Sequence, residues 1–193
     1  MQRNIIITIL VLLVGLGVGY QMGKGNELTL RRGSLMMPDG RMMGQNIDQH
    51  FIVQMIPHHE GAIAMAKIAL EKSKRPEIIS LASGIIEAQE AENRDMRTWY
   101  ESWFGSAPPS GGRGMMHMGG MEGDVDALKS VSDSEFDREF IKQMIPHHEM
   151  AIMMAQMLLS GTERDEMKEL GDNIITSQTR EIEMMRSWLD AWY

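Results

Sequence analysis

The chain has 193 residues and a formal net charge of −8, with 19 Lys and Arg against 27 Asp and Glu. Its length is enough for one domain of ordinary size with extensions. The basic residues do not gather in any one stretch, and nucleic-acid binding depends on clustered Lys and Arg, so we expect no nucleic-acid partner. No cysteine is present, which excludes disulfides and leaves methionine as the only sulfur ligand.

The first segment, residues 1–22, has the chemistry of an export signal. Arg3 precedes an almost unbroken apolar run from Ile5 to Tyr20, and no small-residue cleavage site of the Ala-x-Ala type follows it. A buried core helix is disfavoured, because three glycines lower the helix propensity and the run has no polar face. We therefore predict an uncleaved signal anchor, which places the protein at the membrane, facing the periplasm or the cell exterior; a cleaved signal peptide is the alternative.

Residues 23–46 are rich in Gly, Met and Arg and lack an apolar period, which predicts a flexible stalk. From residue 48 onward the apolar residues recur in steps of three and four, which is typical of amphipathic helices. The pattern predicts helices at about 48–72, 76–104, 134–160 and 164–192, with Asp48 as the first N-cap. Residues 105–130, rich in Met, Gly and Pro, are predicted to be a linker.

An internal duplication organises residues 47–193. The segment Phe51 to Leu70 recurs as Phe140 to Leu159 with 14 of 20 residues identical, and both copies carry a His-His pair. Two copies of roughly 55 residues are too few for a solenoid, whereas two helical hairpins closing on each other form an antiparallel four-helix bundle. Repeat 1 spans about 47–104 and repeat 2 about 134–193.

The duplicated histidines predict a polar layer inside this bundle. In an antiparallel hairpin that turns near residue 74, the first His pair lies level with a Gln and a Glu on the second helix, and repeat 2 gives the same arrangement. Adjacent His pairs at one level favour a metal site; the alternative is a hydrogen-bonded polar core in which the histidines only satisfy the glutamates. The candidate metal ligands at this level are His58, His59, His147, His148, Glu92 and Glu181, with Met55, Met96, Met144 and Met185 as flanking candidate ligands. Gln89 and Gln178 complete the predicted polar layer.

The methionines fall into two groups. Those at helical spacing, Met65, Met96, Met153 and Met154, are explained by core packing when taken alone, because Met fills irregular gaps. Those in the Gly-rich segments have no core to fill, and thioether sulfur is a soft ligand that selects Cu(I) and Ag(I). We therefore predict metal ligands in the linker at Met115, Met116, His117, Met118 and Met121.

The doubled Phe-Ile-x-x-Met-Ile-Pro-His-His-Glu motif, each copy followed about 40 residues on by Met-Arg-x-Trp, resembles the domain-of-unknown-function 305 (DUF305) family. The resemblance covers about residues 46–193. It implies an exported or membrane-anchored, ferritin-like four-helix bundle, and CopM-like members of this family bind copper and silver in metal resistance. Transferred to this chain, the resemblance makes the motif residues Met55, His58, His59, Met144, His147 and His148 candidate ligands.

Three functions are consistent with these features. The leading one is a membrane-anchored, extracytoplasmic protein that is not an enzyme. It sequesters or relays copper, as Cu(I) or Cu(II), and silver. A copper-delivery protein is its candidate partner. The second is a ferritin-like dinuclear oxidase holding iron, although the Glu-x-x-His motif of such sites is absent. Zinc is a further alternative for the metal. The third is a metal-free, anchored helical module that binds a protein through its methionines.

Overall fold

A computed structural model describes residues 43–109 and 125–193, with side chains from residue 47 onward, and these residues belong to one compact unit. All the regular structure in these two ranges is helical. The helices are α1 (Met43–Lys72), α2 (Pro76–Phe104), α3 (Val125–Ser130), α4 (Asp133–Leu159) and α5 (Asp165–Trp192). The predicted anchor lies outside the described residues, and none of the five helices is long and apolar enough to cross a membrane.

The predicted all-helical architecture of two hairpins is confirmed. Helix α1 packs along α2, α4 packs along α5, and the two hairpins meet mainly through α1 and α4. The connection at Ser73 to Arg75 is short because Pro76 begins α2, where its missing N–H costs no hydrogen bond. Helix α2 ends at Phe104 and is capped by Gly105, whose φ of 73° is the left-handed conformation in which its N–H donates to the Glu101 carbonyl.

Two local expectations differ from the structure. Helix α1 begins at Met43, inside the predicted stalk, so the interpretation of Asp48 as an N-cap is wrong: Asp48 is buried within the helix and pairs with Arg164. Residues 125–130, inside the predicted linker, form α3. Leu128 of this short helix is fully buried, and packing of this kind stabilises six residues that could not form a helix alone.

The core consists of two apolar clusters. One contains the first half of α1, the second half of α4, the start of α5 and the end of α2. The other contains the second half of α1, the start of α2, helix α3, the first half of α4 and the end of α5. Because the beginning of α1 shares a cluster with the end of α4, the two helices run antiparallel. Their histidines occur in the sequence between the segments that form the two clusters.

The two repeats are joined by a pair of matching contacts. The Arg164 guanidinium lies 3.2 Å from the Asp48 carboxylate and stacks on the Trp103 ring at 3.9 Å from its centroid. Arg75 makes the corresponding contacts in the other direction, at 3.2 Å from Asp137 and 4.2 Å from the centroid of Trp192. Each arginine thus lies in the turn of one repeat and binds the other repeat, and we call these two contacts the cross-repeat pairs.

Candidate metal centre

The four motif histidines lie in the interior of the bundle. His58, His59, His147 and His148 are each at most 3% exposed. His58 of α1 and His147 of α4 face each other across the interface between the repeats, with ring centroids 3.8 Å apart and ring planes inclined by 40°. The two adjacent histidines of each pair are farther apart, at 6.3 Å in repeat 1 and 6.4 Å in repeat 2. The central pair therefore contains one imidazole from each repeat.

The outer histidines are each held by a carboxylate. Nε2 of His59 lies 2.7 Å from Oε2 of Glu92, and Nε2 of His148 lies 2.7 Å from Oε2 of Glu181. A carboxylate at this distance fixes the ring orientation and favours the tautomer with the proton on Nε2, which leaves Nδ1 with its lone pair. The two glutamates are about one fifth exposed, so each connects the buried layer to the bundle surface.

Several imidazole nitrogens have no hydrogen-bond partner among the described residues. These are the Nδ1 atoms of His59 and His148 and one ring nitrogen of His58, whose ring also has a backbone contact with His147. Buried polar atoms are nearly always hydrogen-bonded, so a group of unpartnered nitrogens in one place indicates a ligand site. Burial lowers the pKa of His58 to about 2, and the neighbouring His147, His59 and His148 add to this shift. His58 is therefore neutral, the state in which imidazole binds metals.

The predicted glutamines are buried as well. Gln89 and Gln178 are each 3% exposed, and the side-chain carbonyl oxygen of each lacks a partner among the described residues. Repeat 1 contains one further polar group, Asn93, whose Oδ1 is also unpartnered there; its counterpart in repeat 2 is Ile182. The repeat pattern does not predict Asn93 as part of the layer, because only one repeat has a polar residue at this position.

The flanking methionines are fully buried. Met55 and Met96 share one apolar cluster, and Met144 and Met185 share the other. Each motif methionine is three residues before the first histidine of its pair, and residues at this spacing on a helix are neighbours. The sequence therefore places a thioether beside the imidazoles in each repeat. Core packing explains the burial of these methionines equally well.

Within residues 43–109 and 125–193, no group of three or more His, Cys, Asp or Glu side chains is arranged to hold a metal ion. The described layer therefore offers two imidazoles in contact, with thioethers next along the helices. The predicted linker ligands Met115, Met116, His117, Met118 and Met121 lie outside the described residues.

The interpretation of Met153 as core filler is wrong, since its side chain is 48% exposed, whereas Met65, Met96 and Met154 are buried as expected.

The Glu that follows each His-His pair points away from the layer. Glu60 accepts a hydrogen bond from Arg97 at 2.7 Å, and Glu149 accepts one from Arg186 at 2.6 Å. Both pairs are exposed. They join the two helices of each hairpin at the surface, whereas the partly buried carboxylates of Glu92 and Glu181 contact the histidines.

The chain belongs to the DUF305 family, described as a domain of unknown function, because the family profile matches residues 48–192. Its solved relatives have the same helical fold. A DUF305 fragment from Deinococcus radiodurans is 27% identical with a TM-score of 0.64, over 75% of this chain and 96% of that chain. A putative secreted DUF305 protein from Streptomyces coelicolor is 25% identical with a TM-score of 0.67, over 75% and 91%.

The chain is more similar to CopM. The Cu(II)-bound form of that protein is 50% identical with a TM-score of 0.70, over 76% of this chain and 97% of that chain. CopM has also been solved in Cu(I)-bound, Ag-bound and apo forms. A shorter similarity, 43% identity over 54 residues, links the chain to an uncharacterized protein of Acanthamoeba polyphaga mimivirus, of which the match covers 36%.

Proposed function

We propose that this protein binds copper, and silver by the same chemistry, at the buried histidine layer and so sequesters or relays the ion outside the cytoplasm. One observation carries the proposal: His58 and His147 lie in contact in the bundle interior, and the imidazoles around them have unpartnered nitrogens, among them Nδ1 of His59 and of His148. A purely structural layer would have hydrogen-bonded these atoms, because an unmade buried hydrogen bond costs about 1–3 kcal/mol. The copper-bound and silver-bound structures of CopM support the choice of metal.

The burial of the layer favours the monovalent ion. The cost of moving an ion out of water grows with the square of its charge, so a dication costs about four times as much as a monocation of the same size. Cu(II) also prefers tetragonal coordination by nitrogen and oxygen, whereas soft thioethers select Cu(I). Neutral imidazoles beside Met55 and Met144 therefore suit Cu(I) and Ag(I) better than Cu(II), iron or zinc.

Glu92 and Glu181 have a supporting role in this proposal. Each carboxylate holds the Nε2 side of an outer histidine, which leaves the Nδ1 side of the ring for the metal. Each glutamate is also part of the route between solvent and the layer, since it is the partly exposed member of its pair. The sequence predicts Glu92 and Glu181 as metal ligands. We propose instead that each of them positions a histidine ligand.

A dinuclear oxidase remains the second candidate, and one observation weighs against it. Carboxylate-bridged metal pairs in helical bundles need several Glu side chains directed inward together, whereas Glu92 and Glu181 each pair with a different histidine.

We also retain the proposal that residues 1–22 anchor the protein in the membrane. Fractionation of cells expressing the full chain tests this, and recovery of a soluble protein that begins near residue 21 would contradict it.

The proposal is tested by titrating Ag(I) into the full-length chain and its variants by calorimetry. Replacing His58 and His147 together with Leu should abolish binding at the layer, because Leu fills the space without a nitrogen donor. The matched control is His50→Leu, which removes an exposed histidine from the same helix and should leave binding unchanged. Unchanged Ag(I) binding in a helical His58→Leu/His147→Leu variant would rule out the layer as the site.

A second variant guards against loss of folding. Glu92→Gln with Glu181→Gln keeps the shape of both side chains and weakens their hold on the histidines. Loss of such a supporting contact lowers metal affinity by about 10–100-fold in other proteins, and we expect a decrease in that range. Equal Ag(I) affinities in this variant and the wild type would contradict the positioning role of the carboxylates.

A further inference from the structure

The second half of α4 exposes methionine where a soluble helix normally exposes polar residues. Met153 and Met157 are 48% and 61% exposed, and Met150, one turn before Met153, is partly buried against the core. The three residues follow one another in steps of three and four, so they share one face of the helix. Packing in the core, which explains the other helical methionines, gives no reason for these side chains.

Repeat 1 provides an internal comparison. The positions that correspond to Met150, Met153 and Met157 carry Gly61, Ala64 and Ile68. Ile68 is only 7% exposed and belongs to the same apolar cluster as Leu128 of α3. Helix α3 packs against α1, whereas at the corresponding part of α4 the described residues leave Met153 and Met157 exposed. The methionine face therefore belongs to repeat 2 alone.

The spacing allows the three sulfurs to meet. Residues three and four apart on a helix have their Cβ atoms about 5–6 Å apart, and each Met side chain has three rotatable bonds that let its sulfur move toward a common point. Neutral thioethers on an exposed face have little affinity for hard cations but bind soft monovalent ones. The face starts three residues after His147, so it leads from the layer to the surface.

We propose that Met150, Met153 and Met157 form a second, surface site for a soft monovalent ion, Cu(I) or Ag(I), separate from the histidine layer. This proposal rests on the proposed function, which supplies the identity of the metal. It adds a place on the surface of repeat 2 at which the ion binds. Repeat 1 has no such site on α1, because it has neither the thioethers nor the open face.

The test compares Ag(I) titrations of the full-length wild type with a Met153→Leu/Met157→Leu variant. Leu keeps the apolar surface but removes sulfur, so it separates coordination from any apolar contact. We expect the variant to bind one Ag(I) fewer per chain, with unchanged helicity. The control is Met65→Leu, which removes a fully buried sulfur from α1 and should bind as many ions as the wild type.

The outcomes distinguish the two proposals. If Met153→Leu/Met157→Leu binds as many ions as the wild type, with the same affinities, the surface site is wrong and the histidine layer is unaffected. An equal loss in Met65→Leu would also overturn it, because the loss would then not be specific to the exposed face. If His58→Leu/His147→Leu retains one Ag(I) that the added methionine substitutions remove, both proposals are supported. A wild type that binds no Ag(I) contradicts both.

Discussion

The two repeats have matching contacts in the interior and differ on one exposed face of α1 and α4. Inside, the His-to-Glu distance is 2.7 Å in both repeats, and the Asp-to-Arg distance of the cross-repeat pairs is 3.2 Å in both. Outside, repeat 1 has Ala64 and Ile68 where repeat 2 has exposed Met153 and Met157. The contact between His58 and His147 and the cross-repeat pairs need both copies, because each of them joins one repeat to the other. The exposed methionines Met153 and Met157 occur in repeat 2 and have no counterparts at the equivalent positions of repeat 1.

The interior of the bundle and its surface therefore have different proposed roles. In the proposed function, the matched interior builds one central site from two halves, and neither half contains the contact between His58 and His147 by itself. The proposed surface site lies on the unmatched methionine face of repeat 2. Substitutions at equivalent positions of the two repeats should therefore have similar effects where the local contacts and burial match, and different effects where burial or packing differs.

The largest effect on stability is expected from the equivalent phenylalanines of the two apolar clusters. Phe140→Ala and Phe51→Ala each remove a buried ring, which costs about 3–5 kcal/mol. Phe140 should cost more, because its ring also stacks on Phe136 at a centroid distance of 6.1 Å. Urea unfolding of the two variants measures the difference. A cost below about 1 kcal/mol for either one would show that the two clusters are not equivalent.

The cross-repeat pairs should differ in their response to loss of the arginine. The Asp48 side chain is 2% exposed and the Asp137 side chain is 13% exposed. Arg164→Met leaves the more buried carboxylate without its cation and should cost about 3–5 kcal/mol of unfolding free energy. Arg75→Met should cost less, since water reaches Asp137. Thermal unfolding of both variants ranks them, and adding Asp48→Asn to Arg164→Met should recover part of the loss. The reverse ranking would contradict this account.

The low pKa of His58 predicts acid sensitivity. An unfolded histidine takes up its proton below about pH 6.5, whereas folded His58 stays neutral down to about pH 2. The unfolded chain therefore binds more protons between these values, and stability falls as the pH drops from 6.5, by up to about 1.4 kcal/mol per pH unit.

We expect His58→Leu to reduce this loss of stability between pH 6.5 and pH 4.5, with His50→Leu as the exposed control. Urea unfolding at several pH values measures it. The same pH dependence in His58→Leu as in the wild type would mean that His58 ionises normally in the folded protein.

The smallest effect is expected at the exposed ion pairs beside each motif. Arg97→Gln and Arg186→Gln remove the partners of Glu60 and Glu149. Exposed pairs contribute about 0–1 kcal/mol, so both variants should stay within about 1 kcal/mol of the wild type in urea unfolding and should match each other. A loss of about 2 kcal/mol in only one of them would show that the similarity of the repeats does not extend to these pairs.

Much of the fold could be predicted from the sequence, because the helical period of the apolar residues and the internal duplication are each visible over many residues. The period gave helix ends that agree with α2 and α5 to within a residue. The level of the polar layer followed from the hairpin turn, which brings Glu92 to His59. Contacts within one hairpin are therefore predictable, since one turn fixes the register of both helices.

Contacts between the hairpins were not predictable in the same way. No turn fixes how α1 packs on α4, so the period could not show that Arg164 would reach Asp48 or that Met153 would face outward. Helix α3 was missed because six residues are too few to show a helical period. The matched positions of Arg75 and Arg164, Asp48 and Asp137, and Trp103 and Trp192 in the two repeats were the available signal.

The most direct test of the central claim is a crystal structure of the protein grown with Ag(I), with the silver located by anomalous scattering. The account predicts a silver peak inside the bundle, within bonding distance of ring nitrogens of the layer that contains His58 and His147. Silver bound only to methionines, with no peak in that layer, would contradict the claim that the duplicated histidines are the metal site.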